Sequence, residues 1–195
     1  GGACYTQDAL DEIAAVAKEN GCATHIDSAR IFNASIATGV DVARMCRDYD
    51  SVSICLSKGL GAPVGSILVG SNDFIAQAHR WRKMFGGGWR QAGVLAAAGL
   101  HALDHHVERL VEDHIRARKV AEAINAMDNF SVDLDAVQSN LVYVNCNIPA
   151  ADVVASLANH GVDMFDLPNN RVRVAIHLHI TDEDVEKIIA AFAAQ

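Results

Sequence analysis

The sequence predicts an α/β fold in two parts, on three observations. Helical and strand-like periodicities alternate along all 195 residues, and no repeat or low-complexity linker interrupts them. Hydrophobic residues make up 51% of the chain, ample for a core. The connection from Ser57 to Gly65 is too short for a parallel crossover, so the strand after it should run antiparallel to the strand bearing Lys58. The elements follow in order. Leu10, Ile13, Ala14 and Ala17 fall on one face of a helix over residues 7–20, which Asn20-Gly21 closes. A short strand over residues 22–26 follows, then a strand-like alternation from Ser51 to Ser57, then the antiparallel strand Ser66 to Val69. Ser71-Asn72-Asp73 caps a helix expected to turn Phe74, Ile75, Ala78 and Trp81 inward. Residues 103, 107, 110, 111, 114, 117, 121 and 124 trace one long amphipathic helix, and a smaller α/β unit fills residues 128–195. The domain boundary is placed in that helix, giving parts 1–105 and 106–195. In the strand Arg171 to Ile176 alternation puts both arginines on one face and the valines with Ile176 on the other; Thr181-Asp182-Glu183-Asp184 then reads as a capping box.

Composition narrows the function classes. A net charge of −8 with no basic arm argues against nucleic acid or a membrane surface as the main partner. The five cysteines, at 4, 22, 46, 55 and 146, are odd in number, scattered and mostly in apolar runs, which predicts reduced thiols and a cytoplasmic location. No signal peptide is recognisable, and the apolar stretch 94–103 is too short to span a membrane and carries His101.

Chemistry concentrates in two clusters. Lys58 ends the alternation from Ser51 and stands directly before Gly59-Leu60-Gly61-Ala62-Pro63, where an amine beside flexible backbone is desolvated more easily than on an open helix face. A lysine capping a strand in solvent gives the same pattern. The second cluster, His25-Ile26-Asp27-Ser28-Ala29-Arg30, carries a carboxylate leaving a strand upstream of the lysine. Two such side chains converge at one edge of an open α/β sheet, where ligands bind. Pyridoxal phosphate needs this pair: an amine for its aldehyde, and a carboxylate beside its ring nitrogen. At about 4 Å and an effective dielectric near 20 that ion pair is worth ~4 kcal/mol, enough to keep the ring nitrogen protonated. A protonated ring is the electron sink for a carbanion at the substrate Cα. The pattern Gly59-x-Gly61-x-x-x-Gly65 is not read as a dinucleotide fingerprint, because Ser66 to Val69 after it is strand-like rather than helical.

Three long runs carry a resemblance: His25-Ile26-Asp27-Ser28-Ala29-Arg30-Ile31-Phe32-Asn33-Ala34, Ser53 to Ser66 around Lys58, and Arg82-Lys83-Met84-Phe85-Gly86-Gly87-Gly88-Trp89-Arg90-Gln91-Ala92-Gly93. Over essentially its whole length the chain resembles the low-specificity L-threonine aldolases, pyridoxal-phosphate lyases of the aspartate aminotransferase fold type. Ser28 stands where that family usually has glycine, and Trp89 where it usually has a smaller apolar residue. The resemblance implies the C-terminal part of a fold type I large domain, with a mixed, mostly parallel sheet, followed by a small C-terminal α/β domain. It assigns Lys58 and Asp27 to catalysis, and Ser57, Lys58, Asp27, Arg30, Lys83 and Arg90 to the cofactor, Lys83 and Arg90 reaching the phosphate region of a neighbouring subunit in a dimer of dimers. Arg173, assisted by Arg30, is assigned to the substrate α-carboxylate, where a solvent-facing arginine is the alternative. The family also carries a further N-terminal segment that supplies a ring-stacking residue and a glycine-threonine pair for the phosphate; the chain opening on Gly1-Gly2 is expected to lack both.

The activity so implied is retro-aldol cleavage of L-threonine and L-allo-threonine to glycine and an aldehyde, the base for the β-hydroxyl proton coming from the absent segment or from water. A related pyridoxal-phosphate lyase, a phenylserine-type aldolase and a non-catalytic fragment remain alternatives. The helical histidines His101, His105 and His106 with Asp104, and the pair His177 and His179, are read as solvated side chains rather than metal ligands. His25 is expected to pack over or beside the cofactor pocket.

Overall fold

A computed structural model describes residues 2–195. It divides into two compact units, Tyr5–Glu108 and Arg109–Gln195, the latter joined by residues 2–4.

In the first unit α1 (Gln7–Glu19) starts on Thr6, whose hydroxyl accepts the Ala9 N–H at 3.2 Å, and ends as Gly21 turns into the left-handed region at φ +64°. Ala14 is buried and Leu10 and Ala17 half-buried, but Ile13 is exposed, so the inward stripe is narrower than its sequence suggests. Strand β1 (His25–Ser28) lies parallel to β2 (Ser51–Cys55), and β2 lies antiparallel to β3 (Ser66–Gly70), giving the mixed order β1-β2-β3. The first strand begins three residues later than its apolar pattern suggests because a side-chain clasp replaces the ladder at its entry. The Asp50 carboxylate accepts the Thr24 N–H at 2.7 Å and the Thr24 hydroxyl at 2.9 Å, and the Asp50 N–H donates to that hydroxyl at 3.0 Å. The clasp sets the next pair, His25 against Ser51, and with it Asp27 against Ser53.

Short helices α2 (Ile31–Thr38) and α3 (Val42–Cys46) close the core of this unit around Ile31, Met45 and Val52, with Leu10, Ile26 and Ile54 packed on it. Arg44 of α3 grips Asp11 of α1 through both guanidinium nitrogens and holds its carboxyl down to about 2, helped by a bond from Gln7. The outer side is open: β3 is an edge strand with Ile67, Leu68 and Val69 exposed. Helix α4 (Asn72–Met84), capped by Ser71, buries no residue at all. Phe74 and Trp81 are therefore exposed, contrary to the inward stripe read from the sequence, and only Ile75 and Ala78 are half-buried. The reason is the sheet order, which puts α4 beside an edge strand rather than over a central one.

The long helix expected over residues 103–124 is two helices, α5 (Gly93–His105) and α6 (Leu110–Asn125). The first ends at His106, whose backbone N–H still donates to the Ala102 carbonyl and whose ring Nδ1 lies 2.6 Å from the Leu60 carbonyl, and the second restarts at Arg109.

The second unit is built on an antiparallel sheet of β4 (Phe130–Val132), β5 (Leu141–Cys146), β6 (Phe165–Leu167) and β7 (Arg171–Ala175), in the order β4-β5-β7-β6. Its core joins Val142, Val144, Val172, Val174 and Ile176 to Ala117, Val120 and Ile124 of α6, to Val153 and Leu157 of α7 (Ala150–Asn159), and to Val185, Ile188 and Phe192 of α8 (Asp182–Ala193). Asn169 and Asn170 take positive φ at the β6–β7 turn, which asparagine tolerates, and the Asn170 amide donates to the Cys146 and Ile148 carbonyls at 2.6 and 2.8 Å. Thr181 and Asp184 form the capping box at the start of α8.

Candidate active site

Parallel pairing brings the two chemical clusters to one end of the first sheet. Asp27 pairs with Ser53, so β1 delivers Asp27, Ser28 and Arg30 to the carboxyl end at which β2 delivers Ser57 and Lys58. Lys58 lies five positions beyond Ser53, at most roughly 16 to 18 Å of extended chain on a neighbouring strand about 4.8 Å away. Past Cys55 the chain folds on itself. The Leu56 N–H donates to the Gly65 carbonyl and the Ala62 N–H to the Leu56 carbonyl, both at 3.0 Å, and the Gly61 N–H closes a reverse turn onto the Lys58 carbonyl at 2.9 Å. Gly61 and Gly65 sit at φ +70° and +115°, where a side chain would be strained. Leu56, Leu60 and Ala62 are buried anchors, whereas Ser57 and Lys58 are exposed. Apolar residues of the loop thus grip the unit and leave the amine accessible.

Asp27 is exposed and also borders a mostly apolar cavity of about 330 Å³ with Leu10, Ile31, Met45 and Tyr49. His25, two residues earlier, lies with Nδ1 2.8 Å from the Ser51 hydroxyl. Arg30 is half-buried at the N-terminus of α2. Burial pushes the Cys55 thiol up, but bonds from the Ser57 hydroxyl and backbone, with the charge of Lys58, outweigh it and leave the thiol below its ordinary value.

The glycine run after α4 has a steric cause. A Cβ on Gly88 would stand 2.4 Å from Lys83 Cδ, and one on Gly87 3.0 Å from Arg82 Cγ, so glycine lets these long side chains lie back across the turn. Arg90 follows, exposed, just before Gln91 at φ +49°. In the second unit Arg173 is exposed while Val172 and Val174 beside it are buried, as the alternation requires. It is registered between Tyr143 and Phe165 and lines a cavity of about 410 Å³ with His177, His179 and Lys187. Arg171 instead stacks over the Tyr143 ring at 5.7 Å.

Asp27, Arg30, Ser57 and Lys58 thus share one sheet end, Lys83 and Arg90 flank the glycine turn of the same unit, and Arg173 belongs to the other unit. Among the described residues no carboxylate pairs with Lys58, Lys83, Arg90 or Arg173. An accessible amine, a carboxylate on the neighbouring parallel strand and unneutralised cations are a donor set that fits an aldehyde-bearing phosphate ester with a basic ring nitrogen. Among the described residues no group of three or more His, Cys, Asp or Glu side chains could hold a metal ion. Sequence reasoning missed the Thr24–Asp50 clasp, the His25–Ser51 contact and the His106–Leu60 bond, which join residues 26 or more positions apart and leave no local signature.

Solved structures share this architecture. The threonine aldolase of Leishmania major superposes with a TM-score of 0.78 at 19% identity, over 97% of this chain and 56% of that one. A pyridoxal-phosphate-dependent aminotransferase from Streptococcus suis gives 0.78 at 17% identity, over 99% and 53%. The fold is therefore that of about half of a type I pyridoxal-phosphate enzyme. The family described as beta-eliminating lyase matches residues 1–147, and the chain belongs to it. An Arabidopsis thaliana protein named "Probable low-specificity L-threonine aldolase 2" is 45% identical over 98% of the chain, and the low specificity L-threonine aldolase of Escherichia coli K12 is 38% identical over 99%. The chain spans 55% and 57% of these two relatives, about half their length.

Proposed function

We propose that this chain is the lysine-bearing part of a pyridoxal-phosphate-dependent aldolase that cleaves L-threonine, L-allo-threonine and related β-hydroxy-α-amino acids to glycine and an aldehyde. The observation that carries the reading is the parallel pairing of β1 with β2, which sends Asp27 and Lys58 to one sheet end. Its relatives, named L-threonine aldolases, support the substrate class. When bound, pyridoxal phosphate supplies an electrophilic aldehyde and an electron-accepting ring.

The chain's own residues do the rest. Lys58 would hold the cofactor through its Nζ, the amine able to bond an aldehyde carbon. Asp27 would keep a proton on the ring nitrogen, and Ser57 would line the cofactor beside Lys58. Arg173, assisted by Arg30, would hold the substrate α-carboxylate and so orient the amino acid on the cofactor. Lys83 and Arg90 offset phosphate charge in a neighbouring subunit, which makes the protein a homo-oligomer, a dimer of dimers, with shared sites. Residues 1–105 then form the second half of the cofactor-binding domain and residues 106–195 the small domain. We place the protein in the cytoplasm.

Incubating the protein with pyridoxal phosphate and L-threonine and assaying products tests this reading. Equimolar glycine and acetaldehyde, both lost in Lys58→Ala, are expected. Ammonia and a keto acid instead would make it a β-eliminating lyase, and activity retained in Lys58→Ala would remove the lysine from the reaction.

A further inference from the structure

The turn that carries Lys58 is seated on one face of α5. Gly99, Ala102 and His106 recur at helical spacing on that face. Gly99 is buried against Leu56, since a Cβ there would lie 3.1 Å from Leu56 Cδ1. Ala102 is 1% exposed. His106, at the end of the helix, lies with Nδ1 2.6 Å from the carbonyl of Leu60, two residues after Lys58. A carbonyl only accepts, so Nδ1 carries the proton and the ring tautomer is fixed. The His106 ring also meets that of His101 in a T-shaped contact at a centroid distance of 5.2 Å, and His101 in turn lies 4.5 Å from His105.

This bond has a location that matters. The Lys58–Gly61 turn has one internal bond, from the Gly61 N–H to the Lys58 carbonyl, and its Leu60 carbonyl would otherwise be a buried acceptor, because Leu60 is 2% exposed. We propose that His106 is a positioning residue for Lys58: its Nδ1–H, through the Leu60 carbonyl, fixes the turn from which the lysine side chain departs. The functional weight of the tether rests on Lys58 being the amine that links to the cofactor; the tether itself does not. Asparagine places an N–H where Nδ1 stands, glutamine carries its amide one methylene further, and leucine has no donor.

The 195-residue chain is compared as wild type, His106→Asn, His106→Gln and His106→Leu, each checked for a cooperative melt. Backbone amide exchange at Gly61 and Ala62 is measured first; then the share of reductive pyridoxal-phosphate labelling that falls on Lys58 rather than Lys18 or Lys187 is read by peptide mass. Asparagine should reproduce the wild type in both. Glutamine and leucine should speed exchange at least about 5-fold, the net worth of one hydrogen bond, and lower the Lys58 share. Equal exchange in all four chains overturns the tether, and an asparagine variant as loose as leucine assigns the effect to ring packing and overturns the hydrogen-bond role. If the leucine variant fails to fold, the asparagine–glutamine contrast decides. Wild-type labelling no greater at Lys58 than at Lys18 would remove the lysine's assigned role, while the exchange comparison still decides whether His106 holds the turn.

Discussion

Two adjacent residues of β7 should separate function from stability. Arg173 lies on the open face of its sheet, and Val174 lies on the buried face, 2% exposed and paired with Val142. Replacing Val174 with Ala removes two carbons from a closed core, about 1.6 kcal/mol of transfer free energy. A residual void of roughly 40 Å³ adds about 1 kcal/mol. A loss of about 2.5 kcal/mol in a unit of this size lowers its melting midpoint by roughly 10 to 20 °C. Arg173→Gln removes no buried surface and should leave that midpoint within a degree or two. In the cofactor-loaded protein it should cost the carboxylate contact, about 1.5 to 3 kcal/mol, hence roughly a 10- to 150-fold drop in kcat/KM. Calorimetric melts and initial rates on L-threonine, run on both variants, make the comparison. If Arg173→Gln destabilises as Val174→Ala does, the face assignment of β7 is wrong; if it keeps full kcat/KM, Arg173 does not hold the substrate.

Other outcomes follow from the same geometry. Asp27→Asn should weaken the loaded enzyme roughly 30-fold in kcat, the ~4 kcal/mol ion pair being cut to about half by solvent at an exposed carboxylate, and steady-state rates check this. Phe192→Ala, which opens the core where Phe192 meets Phe130 edge-on at 5.1 Å, should cost about 3 to 5 kcal/mol in urea unfolding. Thr181→Ala should cost about 1 kcal/mol by the same measurement, since it removes half of the capping box. The Asp11 carboxyl, held down to about 2 by Arg44 and Gln7, stabilises the fold fully above the unfolded value of 3.8, and its contribution is lost as pH falls through about 2. Asp50, bonded to Thr24, acts in the same direction. Carboxyl NMR titration should show the Asp11 midpoint rising in Arg44→Ala.

The sequence made the α/β alternation, the antiparallel return of β3, the alternation of β7 and the capping box legible because each rests on contacts within a few residues or on strict periodicity. It overstated the inward stripes of α1 and α4, since an amphipathic pattern says which face is apolar but not whether anything covers it. Ile13 and Trp81 are apolar and exposed for that reason. It also ran α5 into α6, because the apolar period continues through Val107, Leu110 and Val111 across the break between the two helices. For the site, the strand-end positions of Asp27 and Lys58 were readable from motif and pattern, whereas the parallel register that gathers them is set by the Thr24–Asp50 clasp. Gly88 explains itself only in three dimensions, where Lys83 lies back across it.

Borohydride reduction of the pyridoxal-phosphate-treated protein, followed by digestion and peptide mass mapping, reads out the covalent chemistry on which the functional reading stands. A single phosphopyridoxyl group on the peptide containing Lys58, absent in Lys58→Ala and less readily formed in Asp27→Ala, is the predicted result. Label spread evenly over the surface lysines, or concentrated on any other one, would show that this amine and this carboxylate do not serve one cofactor.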